Sequence, residues 1–437
     1  MITLIIILLI VVLLLFWRLI KISVKSRNYW SLSFGISFAL HYVVPVAYLI
    51  IIGNYSSRYS RTTLDDFALM QVCCIIFLIS VLLALSFTHG WSSKIDVGSS
   101  MLGQCNINIK SAKKLLFAAS LIAIVLQYKS FGILFSSELL NNRLIENRGK
   151  GYLQLLNIAS YFLAFIGIKQ YLKNEISFKY LLLHSIPALI IYSLKMQRGH
   201  AVYPLVFIVI TFFYHKFPIK RANFYTFLVL LSMFYVGPIT SQIRTNVLIG
   251  RDILELSYDK DKVVSTSFAH AELLTSMVSD NSINEEPSAI IGSLFNWIPR
   301  GIYPNKPSSL GPILNYHFCP DEKYNYKDGT HRSSYTTDLL IEGYYEFGYA
   351  GIALYGFLYT LLASVVWKNV TKNRDTFFMT FPLCLFIWGF TVFFSDLGNW
   401  LGYAILYYAV YFIIKIIYGR TVNQRRYSLK RETGQIH

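Results

Sequence analysis

One pattern recurs along this chain: an apolar run long enough to cross a bilayer, followed by a polar connection. An α-helix rises about 1.5 Å per residue, so about 20 apolar residues span a ~30 Å hydrocarbon core. Runs of that kind fall at 2–17, 30–52, 67–88, 115–134, 153–172, 179–194, 201–215, 224–240, 344–367, 376–395 and 400–418. A lipid core leaves the backbone no water to bond, so segments of this length and composition must be helical. The expected fold class is an all-α polytopic membrane protein of about 11 transmembrane helices, with one large loop between the late helices. Composition agrees, since 54% hydrophobic residues and a mean hydropathy of +0.47 exceed what a soluble core can hide. The first run, "ITLIIILLIVVLLLFW", has no basic stretch before it and no small-residue cleavage site after it. It reads as a retained helix and not as a signal peptide.

Charge then orients the helices. The net charge of +17 comes mostly from short connections between apolar runs. With the C-terminal tail inside, segments 18–29, 89–114, 169–179, 215–223, 368–375 and 415–437 are cytoplasmic and hold more than half of the 40 Lys and Arg. The opposite orientation would put the basic tail "RTVNQRRYSLKR" outside, against the positive-inside rule. We therefore expect the N-terminus outside and the C-terminus cytoplasmic, and read the charge as topology, with no nucleic-acid partner. The layout is membrane helices over 1–240 (about eight), a large outer loop over 241–343, helices over 344–418 (about three) and a basic tail over 419–437. Amphipathic pieces inside the loop fall at 263–279 and 288–298.

The motifs for intracellular energy chemistry are missing from the sequence. Neither GxxxxGK[ST] nor GxGxxG occurs, and the five cysteines have neither metal nor redox spacing. "CPDEKYNYKD" at 319–328 has too few regular oxygen ligands for a calcium loop. No metal and no cofactor is expected, so the driving energy must reside in the substrate.

What stands out on the outer face is arginine. Arg143 and Arg148, Arg198, Arg244 and Arg251, Arg300 and Arg332 all fall there, where topology disfavours cations. Any one alone reads as solvated or snorkelling at the headgroups. Arg198 and Arg244 lie at the outer ends of apolar helices, where a standing anionic partner relieves the cost of burial. Guanidinium matches phosphate bidentately, so the set implies a phosphate or diphosphate bound at that face. Arg300 and Lys306 ride in "WIPRGIYPNKPSS", where Pro299, Pro304 and Pro307 stiffen the backbone and Trp297 and Tyr303 flank the cations. The aromatics suit stacking on sugar faces or anchoring at the headgroup level.

Carboxylates follow. Asp338, Glu342 and Glu346 recur every four residues, forming one stripe of a helix that enters the membrane. A carboxylate there, partly withdrawn from water, is suited to act as a base or to pair with an arginine. His331, next to Arg332, is the second candidate base, since an ordinary imidazole pKa of ~6.5 suits that task near neutral pH. His317 shares the loop, and His41, near Pro45, reads as a packed or hydrogen-bonded polar residue.

The helix layout, the large outer segment, "IPRGIYPNKPS" and then "EGYYEFGYAGI" opening the next helix together resemble the O-antigen polymerase family, the oligosaccharide repeat unit polymerases. The likeness covers the hydropathy layout of most of the chain, and its motif-level part is confined to Arg300–Pro307 and Glu342–Gly351. It implies a glycosyltransferase in the inner membrane of a Gram-negative bacterium, with its site facing the periplasm. Such an enzyme polymerises undecaprenyl-diphosphate-linked oligosaccharide repeat units into O-antigen or a related polysaccharide, without metal, and lipid diphosphate is the leaving group. Donor and acceptor are both lipid-linked, and a chain-length regulator is the implied protein partner. On this reading Arg198, Arg244, Arg300 and Lys306 grip the diphosphate. Arg143, Arg148, Arg251, Trp297, Tyr303, Arg332 and Asp338 contact substrate, and Glu342 or His331 takes the acceptor's proton. Two rivals share the lipid diphosphate: a lipid-linked oligosaccharide flippase, and an O-antigen ligase that moves the glycan to lipid A core.

Overall fold

The computed structural model describes residues 2–25, 29–52, 64–88, 109–131, 151–172, 174–195, 269–280, 288–295, 302–318, 337–372 and 397–418, with scattered positions between 213 and 246 and Ile298. Within these residues the secondary structure is helical, with no strand. In chain order the helices are α1 (Ile2–Lys25), α2 (Tyr29–Phe38), a π turn (Ala39–Val43), α3 (Val44–Ile52), α4 (Leu64–Thr88), α5 (Ile109–Phe131), α6 (Gly151–Leu172) and α7 (Phe178–Lys195). There follow α8 (Ala269–Ser279), α9 (Ile290–Phe295), α10 (Leu310–Phe318), α11 (Leu339–Lys372) and α12 (Leu397–Tyr418).

Among the described residues five helical stretches are long and apolar enough, by length and composition, to cross a membrane, over Ile2–Ser23, Phe34–Ile51, Leu64–Thr88, Lys110–Lys129 and Leu339–Val365, the second of them running through the π turn and the last across a break. Shorter apolar helices at Leu155–Ile168, Phe178–Ile191 and Ile405–Ile417 coincide with further expected runs. The chain is thus an all-α membrane protein. The expected runs at 201–215, 224–240 and 376–395 fall wholly or largely outside the described residues.

Two groups of helices form the bundle. In the first, α4 is central, packed on α1, α8 and α11. Helix α1 buries Ile5, Val12 and Leu19, one residue every seven, and leaves Leu14 and Trp17 more than 60% exposed. That narrow seam is what a lipid-facing helix needs to hold one neighbour while its other sides meet hydrocarbon. Behind it Phe34 stacks between Phe77 (5.8 Å between ring centroids) and Tyr359 (5.5 Å). Gly356 lets α11 approach α4 closely, because a Cβ there would meet Ser80 and Phe77. Lower down, the Thr88 hydroxyl donates to Ser364 at 3.1 Å. The second group contains α5, α6, α7 and α12. Gln127 of α5 donates to Asn157 of α6 at 2.9 Å, and Lys113 donates to Gln170 at 3.0 Å near the other end of the pair.

Helix α11 is broken. Phe347 and Gly348 leave helical geometry, Gly348 at φ 59° and ψ −140°, a combination open in practice to glycine alone. Gly343 and Gly351 would stand about 12 Å apart along a straight helix. Instead their backbones touch, so that a Cβ on Gly351 would collide with the Gly343 carbonyl. The chain therefore folds sharply back at Gly348, separating an arm at 339–346 from the long arm at 349–372. The acidic stripe lies on the short arm and its cap, where its spacing had suggested a single helix entering the membrane. A second difference concerns α8. It belongs to the expected outer loop, yet nine consecutive residues, His270–Val278, are buried, and it packs on α4, α11 and the π turn.

Candidate functional site

Pro45 explains the local geometry at the end of α2. It has no N–H to give to the His41 carbonyl four residues back, and its ring crowds that carbonyl. The helix widens into the π turn, where the Val44 N–H reaches the Ala39 carbonyl. Turns of this kind recur at functional sites. Here the turn buries consecutive residues, His41 and Tyr42, against the same neighbours. The His41 Nδ1 hydrogen donates to Ser37 O at 2.7 Å, and its ring meets that of His270 edge-on, 4.8 Å between centroids.

Asp338 is the centre of the cluster. It caps the short arm of α11: Oδ1 accepts the Leu340 and Ile341 N–H groups at 2.9 and 3.0 Å. Oδ2 accepts the Tyr42 hydroxyl at 2.5 Å and His270 Nδ1 at 3.0 Å. Asp338 has no solvent exposure, and His270 is 5% exposed. Such burial of a carboxylate is tolerable because two helix N–H groups, the N-terminal dipole and two side-chain donors meet its charge. Cys74 of α4 lies within electrostatic reach of Asp338. That places the cluster about 15 Å along α4 from its Leu64 end. One turn toward Leu64 on the same face, Gln71 is 2% exposed, and neither of its amide atoms has a hydrogen-bond partner among the described residues.

The other two carboxylates of the stripe meet a different element. Glu342, fully buried, accepts the Ser293 hydroxyl at 3.1 Å. Glu346 Oε1 accepts the N–H groups of Ala289 and Ile290 at 2.6 and 2.9 Å, and its other oxygen accepts the Ser288 hydroxyl at 2.7 Å. A carboxylate thus caps the N-terminus of α9, where the helix dipole favours a negative charge. Helix α9 leads directly into the proline-rich stretch. Gly292 packs on the Ser308 backbone so closely that a Cβ would collide with the Ser308 carbonyl. Lys306 Nζ donates to Ile298 O at 2.8 Å, closing the stretch on itself, and Tyr303 packs edge-on to Phe295.

Of the residues that the sequence offers as a site, then, the structure brings Glu342 and Asp338 together on one short helix arm, beside α9 and α8 respectively. Lys306 braces its own loop, and Tyr303 packs edge-on against Phe295. Arg143, Arg148, Arg198, Arg244, Arg251, Trp297, Arg300, His331 and Arg332 lie outside the described residues. His317 donates from Nε2 to Asp280 at 3.0 Å, tying α10 to the end of α8. His41 is the buried, hydrogen-bonded residue that the sequence suggested. Tyr42 and His270 did not stand out in the sequence. Their signals were weak ones: a polar pair four and three residues before Pro45, and a lone histidine within the amphipathic piece at 263–279. Among the described residues no group of three or more His, Cys, Asp or Glu is arranged to hold a metal ion.

No family model, no curated protein and no solved structure matches the chain.

Proposed function

We propose that this protein is a membrane glycosyltransferase that lengthens a surface polysaccharide by joining undecaprenyl-diphosphate-linked repeat units at the outer face of the bacterial inner membrane. One observation carries the reading furthest. The two stretches with family likeness, around Arg300–Pro307 and Glu342–Gly351, belong to segments joined by four hydrogen bonds from Ser293, Ser288, Ala289 and Ile290 to Glu342 and Glu346. The bonded residues lie some 50 positions apart in the chain, so the helix that leads into the first stretch is tied to the second. The outward arginines add the chemistry: guanidinium aimed at a departing diphosphate stabilises the transition state more than the ground state. Diphosphate leaves without a proton, so one base for the acceptor hydroxyl suffices.

The test is reconstitution. Purified protein in proteoliposomes is given lipid-linked repeat units isolated from cells that lack it, and products are resolved by length. A ladder of lengthened lipid-linked chains is expected. Transfer to added lipid A core without lengthening would mark a ligase.

A second reading, the flippase, gains from one finding. His41, His270 and Asp338 lie buried within the bundle beside a broken helix, and transporters carry buried ionisable groups and discontinuous helices. In the same vesicles, movement of the lipid-linked glycan across the bilayer with no change in its length would favour that reading over ours.

A further inference from the structure

We propose that helix α9 and the turn that follows it at 302–306 form an interfacial anchor, whose apolar face sits in the bilayer boundary on the loop's side with lipid as its partner. The polarity of α9 carries the argument. Ile291, Leu294 and Phe295 recur at helical spacing and all three are exposed, as are Ile302 and Tyr303 beyond them, Ile302 at 77%. On the opposite side Gly292 lies against the Ser308 backbone, and Ser293 donates to buried Glu342. A helix in water does the reverse, turning serine out and isoleucine, leucine and phenylalanine in. Tyr303 packs edge-on to Phe295, which joins the exposed side chains of the turn to those of the helix. The protein thus holds the polar side of α9 and leaves its apolar side to an outside medium.

Two placements make that medium lipid. The first is depth. Ser364 of α11 meets Thr88 at the far end of α4, and Gly348 lies about 24 Å back from Ser364 along the helix axis. A hydrocarbon core is ~30 Å thick, so the break lies near the opposite boundary. Helix α9 lies there too, because Glu346, two residues before Gly348, caps its N-terminus. The second is continuity. Leu354 and Leu358 are exposed one turn apart on the membrane-spanning part of α11, and Phe347, beside the capping carboxylate, is exposed as well. Interfacial helices settle with their apolar side about 5–10 Å into the headgroup and acyl boundary, and aromatic residues favour the same level. On this seating Lys306, which donates to Ile298 O, lies at the headgroups with its stem along the apolar surface. The anchor thereby holds residues 302–309 beside lipid phosphates. That this serves a lipid-linked diphosphate rests on the transferase reading above, whereas the seat itself does not.

Nitroxide labels read the medium directly. In the full-length chain Cys105, Cys319 and Cys384 are replaced by Ser, buried Cys73 and Cys74 are kept, and Ile291→Cys, Leu294→Cys and Ile302→Cys are labelled in turn. Each protein is reconstituted into vesicles of phosphatidylethanolamine and phosphatidylglycerol, with Leu14→Cys on the exposed flank of α1 as the hydrocarbon reference. Collisions with oxygen should exceed those with a water-soluble nickel chelate at all three positions, at a depth of about 5–10 Å into the boundary. Nickel collisions in excess of oxygen at Leu294 or Ile302 would place that face in water and overturn the anchor. Low rates with both reagents would mean that protein covers the face, a partner or a second copy of this chain, and would overturn it equally. The labels need no substrate, so the two readings fail separately. A protein that lengthens no chain leaves the seat standing, and labels in water leave the transferase standing.

Discussion

The phenol of Tyr42 donates to Asp338 Oδ2 at 2.5 Å across 296 residues of chain, joining the π turn to the cap of α11. Tyr42→Phe keeps the ring on Phe38 and deletes that donor. A hydrogen bond to a charged group is worth about 1.5–3 kcal/mol, so the purified variant should unfold several degrees earlier. Chain lengthening should slow as well, because the Asp338 carboxylate then has one restraint fewer. An unchanged melting curve and rate together would show that the bond holds nothing.

The break in α11 makes a separate prediction about glycine. At Gly348 nothing lies within 4 Å of the point a Cβ would occupy, so Gly348→Ala tests backbone conformation alone and should cost about 1–3 kcal/mol. Gly351→Ala adds a collision with a carbonyl that cannot rotate away, and should be the worse of the two. Thermal stability in detergent decides the order. If Gly351→Ala is the milder change, the two arms do not touch.

The Ser293 and Glu342 bond can be isolated by a double-mutant cycle. Ser293→Ala and Glu342→Leu should each destabilise the protein, and the pair should cost less than their sum by about 1 kcal/mol. Strict additivity would mean that Glu342 acts through a different partner.

Arg244 and Arg300 carry the diphosphate part of the proposed function. Alanine at either should abolish long chains while the protein still inserts, since each guanidinium would give the leaving group a charge-assisted bond worth about 1.5–3 kcal/mol. Lysine should rescue only in part, keeping charge without the planar fork. A full ladder from both alanine variants at normal expression would dismiss the clamp.

Orientation is open to reporter fusions after residues 222, 320 and 430. Periplasmic activity at 320 alone is expected, because 222 and 430 follow clusters of Lys and Arg. A periplasmic signal at 430 would invert the topology and move the proposed site to the wrong compartment.

The membrane helices were legible in the sequence because crossing a bilayer is a local demand: a run must be apolar and about 20 residues long, whatever its neighbours. The helices within 263–279 and 288–298 were legible for the same reason, as periodicity tells a segment which face to bury. It does not say against what. That His270 meets Asp338, 68 residues away, depends on α8 inserting between α4 and the π turn, and no feature of α8 alone specifies that partner. The carboxylate stripe was likewise visible, but evenly spaced acids on one helix go to different ends: Asp338 to its own helix and two side chains, Glu342 and Glu346 to α9. Hydropathy could not reveal the break at Gly348, since averaging over a span hides one residue's φ. Chain-local energetics thus determined which segments are buried helices. Which polar groups neutralise one another inside them was decided only by tertiary packing, because a buried charge is stable only where its partners converge.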